Sequence, residues 1–233
     1  MLNKLTNKLA DKWFLVREGS KLEKAHQVIG AYVLVFMVWG MYRLLFRMPL
    51  WVEEVILKGL VMGGVVGYMV WKKERNGWKS LGINTKNFVP AVGFGLAVGV
   101  LLLFFGELVN YIQYGELAVN PEALTSGGIG QLLILGLVTA FWEELLMMGY
   151  VLTRLKEVWE NEWTRVIVVA LMFTLLHLPV MVVDGLPVVQ IMVRSLLVFG
   201  VGFGNGVMML RTENLATPIL THALWGVSVF LFE

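Results

Sequence analysis

The sequence predicts an all-helical bundle that crosses a membrane about seven times, with its N-terminus inside. Three observations support this fold class. The chain is 58% hydrophobic with a mean hydropathy of +0.72, whereas soluble domains are about 45–50% apolar. Its apolar runs approach the ~20 residues that a membrane-spanning helix needs. Its Lys and Arg residues are concentrated in alternate connections. The 233 residues leave room for one bundle and no second sizeable domain.

The N-terminal segment, residues 1–24, is basic, with six Lys and Arg. Four of its apolar residues recur at close to helical spacing: Leu2, Leu5, Leu9 and Trp13. This pattern predicts an amphipathic helix on the membrane surface; a solvated tail is the alternative. A long polar stretch precedes the first apolar run, so we expect no cleaved signal peptide. The remainder, residues 25–233, is expected to form one transmembrane bundle.

Apolar runs give seven predicted spans. Their approximate bounds are 27–45, 53–71, 88–112, 129–152, 166–183, 188–210 and 215–232. The second span is the least apolar at its start, because Glu53, Glu54 and Lys58 fall in its first turns. The sixth contains G-V-G-F-G-N-G, which lacks the Lys-Ser/Thr ending of a phosphate loop and predicts close helix packing instead.

The distribution of positive charge predicts the orientation of these spans. With the N-terminus inside, the inside segments carry fifteen of the nineteen Lys and Arg residues: six in 1–24, five in 72–86, three in 154–165, and Arg211. This asymmetry favours a cytoplasmic N-terminus and an outside C-terminus. We expect a multi-pass protein of the cytoplasmic membrane of a prokaryote.

The fourth predicted span contains two adjacent carboxylates, Glu143 and Glu144. One charge at the bilayer centre costs roughly 2.5–3.5 kcal/mol, so an adjacent pair implies a function or a partner. Two of the three histidines, His177 and His222, lie inside the fifth and seventh spans. The third, His26, starts the first span and is expected to be interfacial.

Residue counts along the predicted helices indicate which polar groups meet. Counted from the cytoplasmic ends at ~1.5 Å per residue, Glu143 lies ~16 Å deep, His177 ~17 Å and His222 ~10 Å. Asn205 lies ~9 Å deep, whereas Arg194 lies ~25 Å deep, near the outer surface. We therefore expect the first four to share one polar site and Arg194 to lie apart.

Two buried carboxylates and two histidines suit more than one chemistry. A buried carboxylate can act as a general base that deprotonates water, with histidine holding the water or stabilising an oxyanion. Two imidazoles and one carboxylate also form a familiar zinc site, although no H-E-x-x-H motif is present. The absence of cysteine excludes thiolate nucleophiles and Cys-based metal sites. A transporter could use the same groups, but the two halves of the chain show no internal symmetry.

Three motifs carry a resemblance to a known family. They are E-E-L-L-M-M-G at 143–149, F-T-L-L-H at 173–177 and T-P-I-L-T-H-A-L-W-G at 217–226. Together they resemble the CPBP family, which comprises the type II CAAX prenyl endopeptidases and the bacteriocin-processing and immunity proteins. The family motifs are E-E-x-x-x-R, F-x-x-x-H and H-x-x-x-N or H-x-x-x-D, in this order. The resemblance covers about residues 125–233.

The resemblance implies a membrane-embedded glutamate-type peptidase that needs no cofactor. Glu143 would be the general base that activates water, His177 would help to hold the water, and His222 would support the oxyanion. The substrate would be a membrane-anchored peptide or protein within the lipid bilayer, with no nucleic acid partner. In the prenyl endopeptidases of the family, a tripeptide is removed from a lipidated C-terminus.

Two positions depart from the family motifs. Met148 replaces the Arg of the first motif, so Glu144 must be protonated or find another partner. Gly226 replaces the Asn or Asp of the third motif, one helical turn beyond His222; Asn205 is a candidate substitute. These departures keep a second interpretation open: a catalytically impaired relative that binds a partner in an immunity or regulatory role. A zinc hydrolase remains a third.

Overall fold

The computed structural model describes residues 21–115 and 128–232, and these form an all-helical bundle, as the composition predicts. We number its seven long helices in chain order: α1 Lys21–Leu45, α2 Val52–Lys73, α3 Phe88–Tyr114, α4 Gly128–Leu155, α5 Glu162–Val183, α6 Val188–Thr212 and α7 Ala216–Phe232. The predicted amphipathic helix within 1–24 falls mainly outside the described residues, as does most of the polar loop between α3 and α4.

Six helices of the described part, α1 to α6, are long and apolar enough to cross a membrane. The seventh predicted span corresponds to α7, which has 17 residues. Many large apolar side chains on α1 and α3 face outward, including Leu44, Val89 and Ile112. Six spans of sufficient length together with this apolar outer surface make the chain an integral multi-pass membrane protein.

The connections that the sequence places inside contact one another at one end of the bundle. Their ion pairs are Lys21–Glu160 (3.3 Å), Arg154–Glu74 (2.7 Å), Lys86–Glu213 (2.5 Å) and Arg211–Glu162 (2.6 Å). At the opposite end, Arg43 pairs with Glu53, and Arg47 donates to the carbonyl of Val183 at 3.5 Å. The helices therefore alternate up and down as predicted, while the side that faces the cytoplasm stays a prediction.

The fifth helix begins earlier than the apolar run predicts, at Glu162 instead of residue 166. The reason is an N-cap: the side chain of Asn161 accepts hydrogen bonds from the backbone N–H groups of Trp163 at 2.8 Å and Thr164 at 3.2 Å. A capping Asn stabilises the first turn of a helix whether or not that turn is apolar.

Helix α4 forms the centre of the bundle and changes its geometry next to the two carboxylates. It is an α-helix over Gly128–Glu144, a π-helix over Leu145–Leu152 and an α-helix again over Thr153–Leu155. Every residue of the π segment is buried. π turns are rare and often occur at functional sites. The end of the first α segment, where the two carboxylates lie, is therefore a candidate functional site.

Glycines bring neighbouring helices close together. A Cβ at Gly99 of α3 would lie 2.6 Å from Leu224 of α7, and one at Gly63 of α2 would lie 2.6 Å from the ring of Trp142 on α4. The Gly-rich run of α6 packs as predicted, because Gly202 contacts Phe173 on α5. Close packing through small residues is a general means of helix association in membranes.

Candidate active site

The predicted polar residues of α4, α5, α6 and α7 meet in the interior, and α2 adds to them. Glu143 is 5% exposed and Glu144 is fully buried. Although they are adjacent in sequence, the two carboxylates have different neighbours. Glu143 faces α2 and α5 as well as α7, whereas Glu144 faces α6 and α7.

The two oxygens of Glu143 have distinct environments. Oε1 accepts a hydrogen bond from Nζ of Lys58 at 2.5 Å. Oε2 lies 3.4 Å from Nε2 of His177 and 3.7 Å from Nε2 of His222. It accepts no hydrogen bond from any group that the structure describes. One oxygen is thus held by a cation, and the other faces two imidazoles.

The Nδ1 atoms of the two histidines fix their orientation. Nδ1 of His177 lies 2.8 Å from the carbonyl oxygen of Phe173, and Nδ1 of His222 lies 2.8 Å from Oε1 of Glu144. Both partners are acceptors, so each Nδ1 carries a hydrogen and each Nε2 is directed to Glu143. The ring of Phe173 packs against both imidazoles, with centroid distances of 4.7 Å and 5.4 Å.

Glu144 has partners other than the missing motif arginine. Its Oε1 accepts hydrogen bonds from Nδ1 of His222 at 2.8 Å and from Nδ2 of Asn205 at 2.7 Å. Asn205 also donates to the carbonyl of Pro218 at 3.5 Å. The amide of Asn205 is therefore engaged with Glu144, a different contact from the oxyanion role considered for it.

Sequence reasoning missed Lys58, which it assigned only to the first turns of the second span. Lys58 is buried and also forms an ion pair with Glu54, one helical turn before it on α2. Thr139 of α4 donates to Oε2 of Glu54 at 2.7 Å. The signal was present: charges within an apolar run are as costly at Glu54 and Lys58 as they are at Glu143.

A small cavity reaches the site. It has a volume of about 90 Å³, room for about three water molecules at roughly 30 Å³ each. Its lining comprises Trp39, Arg43, Glu54, Lys58, Glu143, Leu176, His177 and Val180. The cavity thus gives a water-sized molecule access to Glu143 and His177, while Glu144 lies behind them.

The two motif departures differ in their surroundings. The side chain of Met148 is fully buried, so the surrounding interior packs against an apolar group at this position. A Cβ at Gly226 would meet no atom within 4 Å. The position of the third-motif Asn therefore has free space, whereas that of the first-motif Arg does not.

Among the residues that the structure describes, no three His, Cys, Asp or Glu side chains are arranged to hold a metal ion. The zinc alternative therefore lacks a complete ligand set within that part of the chain.

Comparison with known proteins identifies the second half of the bundle. Residues 125–228 match the family model described as Type II CAAX prenyl endopeptidase Rce1-like. This match confirms the resemblance that the three motifs predict, and the family is a family of proteases. It covers both carboxylates and both histidines of the site, whereas Lys58 lies outside it. No curated protein and no solved structure matches the chain.

Proposed function

We propose that this chain, whose residues 125–228 belong to the Rce1-like family of type II CAAX prenyl endopeptidases, is an intramembrane endopeptidase with Glu143 as its general base. One observation carries the proposal: Oε1 of Glu143 is held by Lys58, while Oε2 faces Nε2 of both histidines beside a water-sized cavity. A carboxylate with one free oxygen in a dry site is suited to remove a proton from water.

The first step is attack of water on the scissile amide. In the tautomer whose Nδ1–H donates to the Phe173 carbonyl, Nε2 of His177 can accept a hydrogen bond from the water and hold it beside Glu143. Oε2 of Glu143 takes a proton as the water oxygen forms a bond to the carbonyl carbon. A negative charge develops on the carbonyl oxygen.

The developing charge needs a donor. His222 can supply one when its Nε2 carries a hydrogen, because Nδ1 is held by Glu144 and Nε2 points to the same region. A carboxylate behind a histidine has this orienting and charge-stabilising role in several hydrolases. When the tetrahedral intermediate collapses, the C–N bond breaks and Glu143 returns its proton to the leaving amine, giving a carboxylic acid and an amine.

The proposal requires no metal or other cofactor. The ammonium group of Lys58, 2.5 Å from Oε1, supplies a positive charge next to the carboxylate.

The substrate class follows from the setting of the site. A catalytic group inside an apolar bundle suits a membrane-anchored peptide or protein. We propose that the protein lies in the cytoplasmic membrane of a prokaryote.

Glu143→Gln tests the proposal. The full chain in liposomes would be given a farnesylated CAAX peptide with a fluorophore and a quencher on either side of the scissile bond. We expect the variant to lose about 10²–10⁴-fold in kcat, the usual contribution of general base catalysis, and wild-type cleavage to persist in EDTA. Glu107→Gln, a change to a half-buried carboxylate on α3, is the matched control. Equal cleavage by Glu143→Gln and wild type would refute the proposal.

A partner-binding function is the second candidate, and the loss of a motif donor at Gly226 favours it. In that case the wild-type chain would show no cleavage, and Glu143→Gln would leave partner capture unchanged.

A further inference from the structure

We propose that Lys58 is a positioning residue of the Glu143 site, supplied by α2 from outside the family-matched segment. Its ammonium group binds Oε1 of Glu143 and thereby holds Oε2 towards the two histidines. The inference rests on the proposed role of Glu143 as general base.

Lys58 is buried, and the fold surrounds its charged group with specific partners. The residue is 4% exposed, and its ammonium group lies between the carboxylates of Glu54 and Glu143. It also lies 5.5 Å from the ring centre of Trp39, within the range of a cation–π contact. A buried lysine is costly unless it is paired, and here it has two anionic partners.

The pairing forms a ladder between two helices. Glu54 and Lys58 are one turn apart on α2, and Thr139 and Glu143 are one turn apart on α4. Thr139 donates to Glu54, and Lys58 donates to Glu143, both across the interface. Because both hydrogen bonds join the same two helices, Lys58 cannot shift along α4 without losing a buried hydrogen bond.

The backbone contact that allows this ladder is also specific. A Cβ at Gly59 would lie 3.1 Å from Trp142, and one at Gly63 would lie 2.6 Å from the same ring. Larger residues there would push α2 away from α4. Trp142 directly precedes Glu143, so the glycines set the distance between Lys58 and the carboxylate.

Lys58 explains how the site tolerates the loss of the motif arginine. Met148 supplies no positive charge, and a carboxylate pair without any cation would be costly in this interior. The cation instead comes from α2 and pairs with Glu143, leaving Glu144 to hydrogen bonds from Asn205 and His222. The functional unit is therefore larger than the segment that matches the family.

Carbodiimide labelling tests the inference independently of cleavage. Dicyclohexylcarbodiimide reacts with buried carboxyl groups only when they are protonated, and mass spectrometry of the peptide locates the label. In Lys58→Met, labelling of Glu143 should rise roughly tenfold or more, because the cation that favours the ionised form has been removed. Lys58→Arg should label like wild type.

Two further variants keep the result interpretable. The double variant Lys58→Met/Glu54→Gln removes one cation and one anion together. Labelling of Glu143 can therefore be measured in it even if Lys58→Met alone misfolds. Arg154→Met removes another buried cation, the partner of Glu74, and should leave labelling of Glu143 unchanged. In the peptide assay, Lys58→Met should lower kcat at least tenfold with little change in KM, and Lys58→Arg should restore it.

The outcomes separate the two proposals. Wild-type labelling of Glu143 in the double variant would overturn the role of Lys58, whatever the cleavage result. Absence of cleavage by the wild-type chain, with labelling that rises as expected, would overturn the endopeptidase proposal and leave the ion pair established.

Discussion

Glu143 and Glu144 are neighbours in sequence, yet the fold gives them opposite environments. Glu143 borders the cavity, pairs with Lys58 and leaves Oε2 facing two imidazole nitrogens. Glu144 has no exposed surface and accepts its hydrogen bonds from Asn205 and His222. The first carboxylate can be reached by water, and the second cannot.

The difference indicates how two adjacent charges are tolerated in an apolar interior. A helical step of about 100° directs successive side chains to different neighbours, so one helix can present two carboxylates to two separate partners. Glu143 has a permanent cation, whereas Glu144 has hydrogen-bond donors that keep a histidine in place. We assign the chemistry to the first and the positioning of His222 to the second.

The largest effect is expected from giving Glu144 a cation. Met148→Arg restores the family motif, but the site is fully buried and shaped around Met. We expect the free energy of unfolding to fall by roughly 3–5 kcal/mol, the range for an uncompensated buried charge. Titration with SDS in mixed micelles measures it.

Met147→Arg is the matched control, because Met147 is equally buried on the same helix. Similar losses in both variants would support a Glu144 that needs no cation. If Met148→Arg were as stable as wild type, the new arginine would have to pair with an ionised Glu144. Both carboxylates would then pair with a cation, which contradicts the difference described between them.

A smaller effect is expected when Glu144 loses its acceptor oxygens. Glu144→Ala leaves Nδ1 of His222 and Nδ2 of Asn205 buried without their partner. The expected loss is about 1–3 kcal/mol in the same unfolding titration, the cost of an unsatisfied buried polar group. Glu144→Gln keeps one acceptor oxygen and should lose less; equal losses in the two variants would contradict the hydrogen-bond account.

The fold and part of the site follow from the sequence alone. Apolar runs located the helices to within a few residues, and residue counts placed Glu143, His177 and His222 at compatible depths, where the structure brings them together. Both inferences work because a spanning helix has a fixed rise and a known direction. Their roles in catalysis stay predictions.

The cation that pairs with Glu143 did not follow, because it depends on a contact between distant segments. Lys58 reaches Glu143 only because glycines on α2 let Trp142 approach, and nothing in the sequence pairs α2 with α4. Position 148 follows Glu144 by four residues and would share its face on a regular α-helix, whereas α4 becomes a π-helix directly after Glu144. Sequence patterns predict which residues share a helix face, but they do not predict which other helices pack against that face.

The smallest change in free energy is expected at Gly226, and it is a gain. Gly226→Asn restores a donor one turn beyond His222, and no atom lies within 4 Å of the new Cβ. An ideally placed oxyanion donor contributes about 10²–10³-fold to kcat. Since the backbone has not evolved around this side chain, we expect about a tenfold rise in kcat for the farnesylated peptide, or ~1.4 kcal/mol.

Gly226→Leu controls for size and for the loss of glycine, because Leu has a similar shape and no donor. A rise in both variants would assign the gain to helix stability instead of to the oxyanion. A rise in Gly226→Asn alone that disappears when Glu143→Gln is added would show that both act in one reaction. Glu143 would then be a working base in a site that lacks one donor, and the partner-binding alternative would lose the observation that favours it.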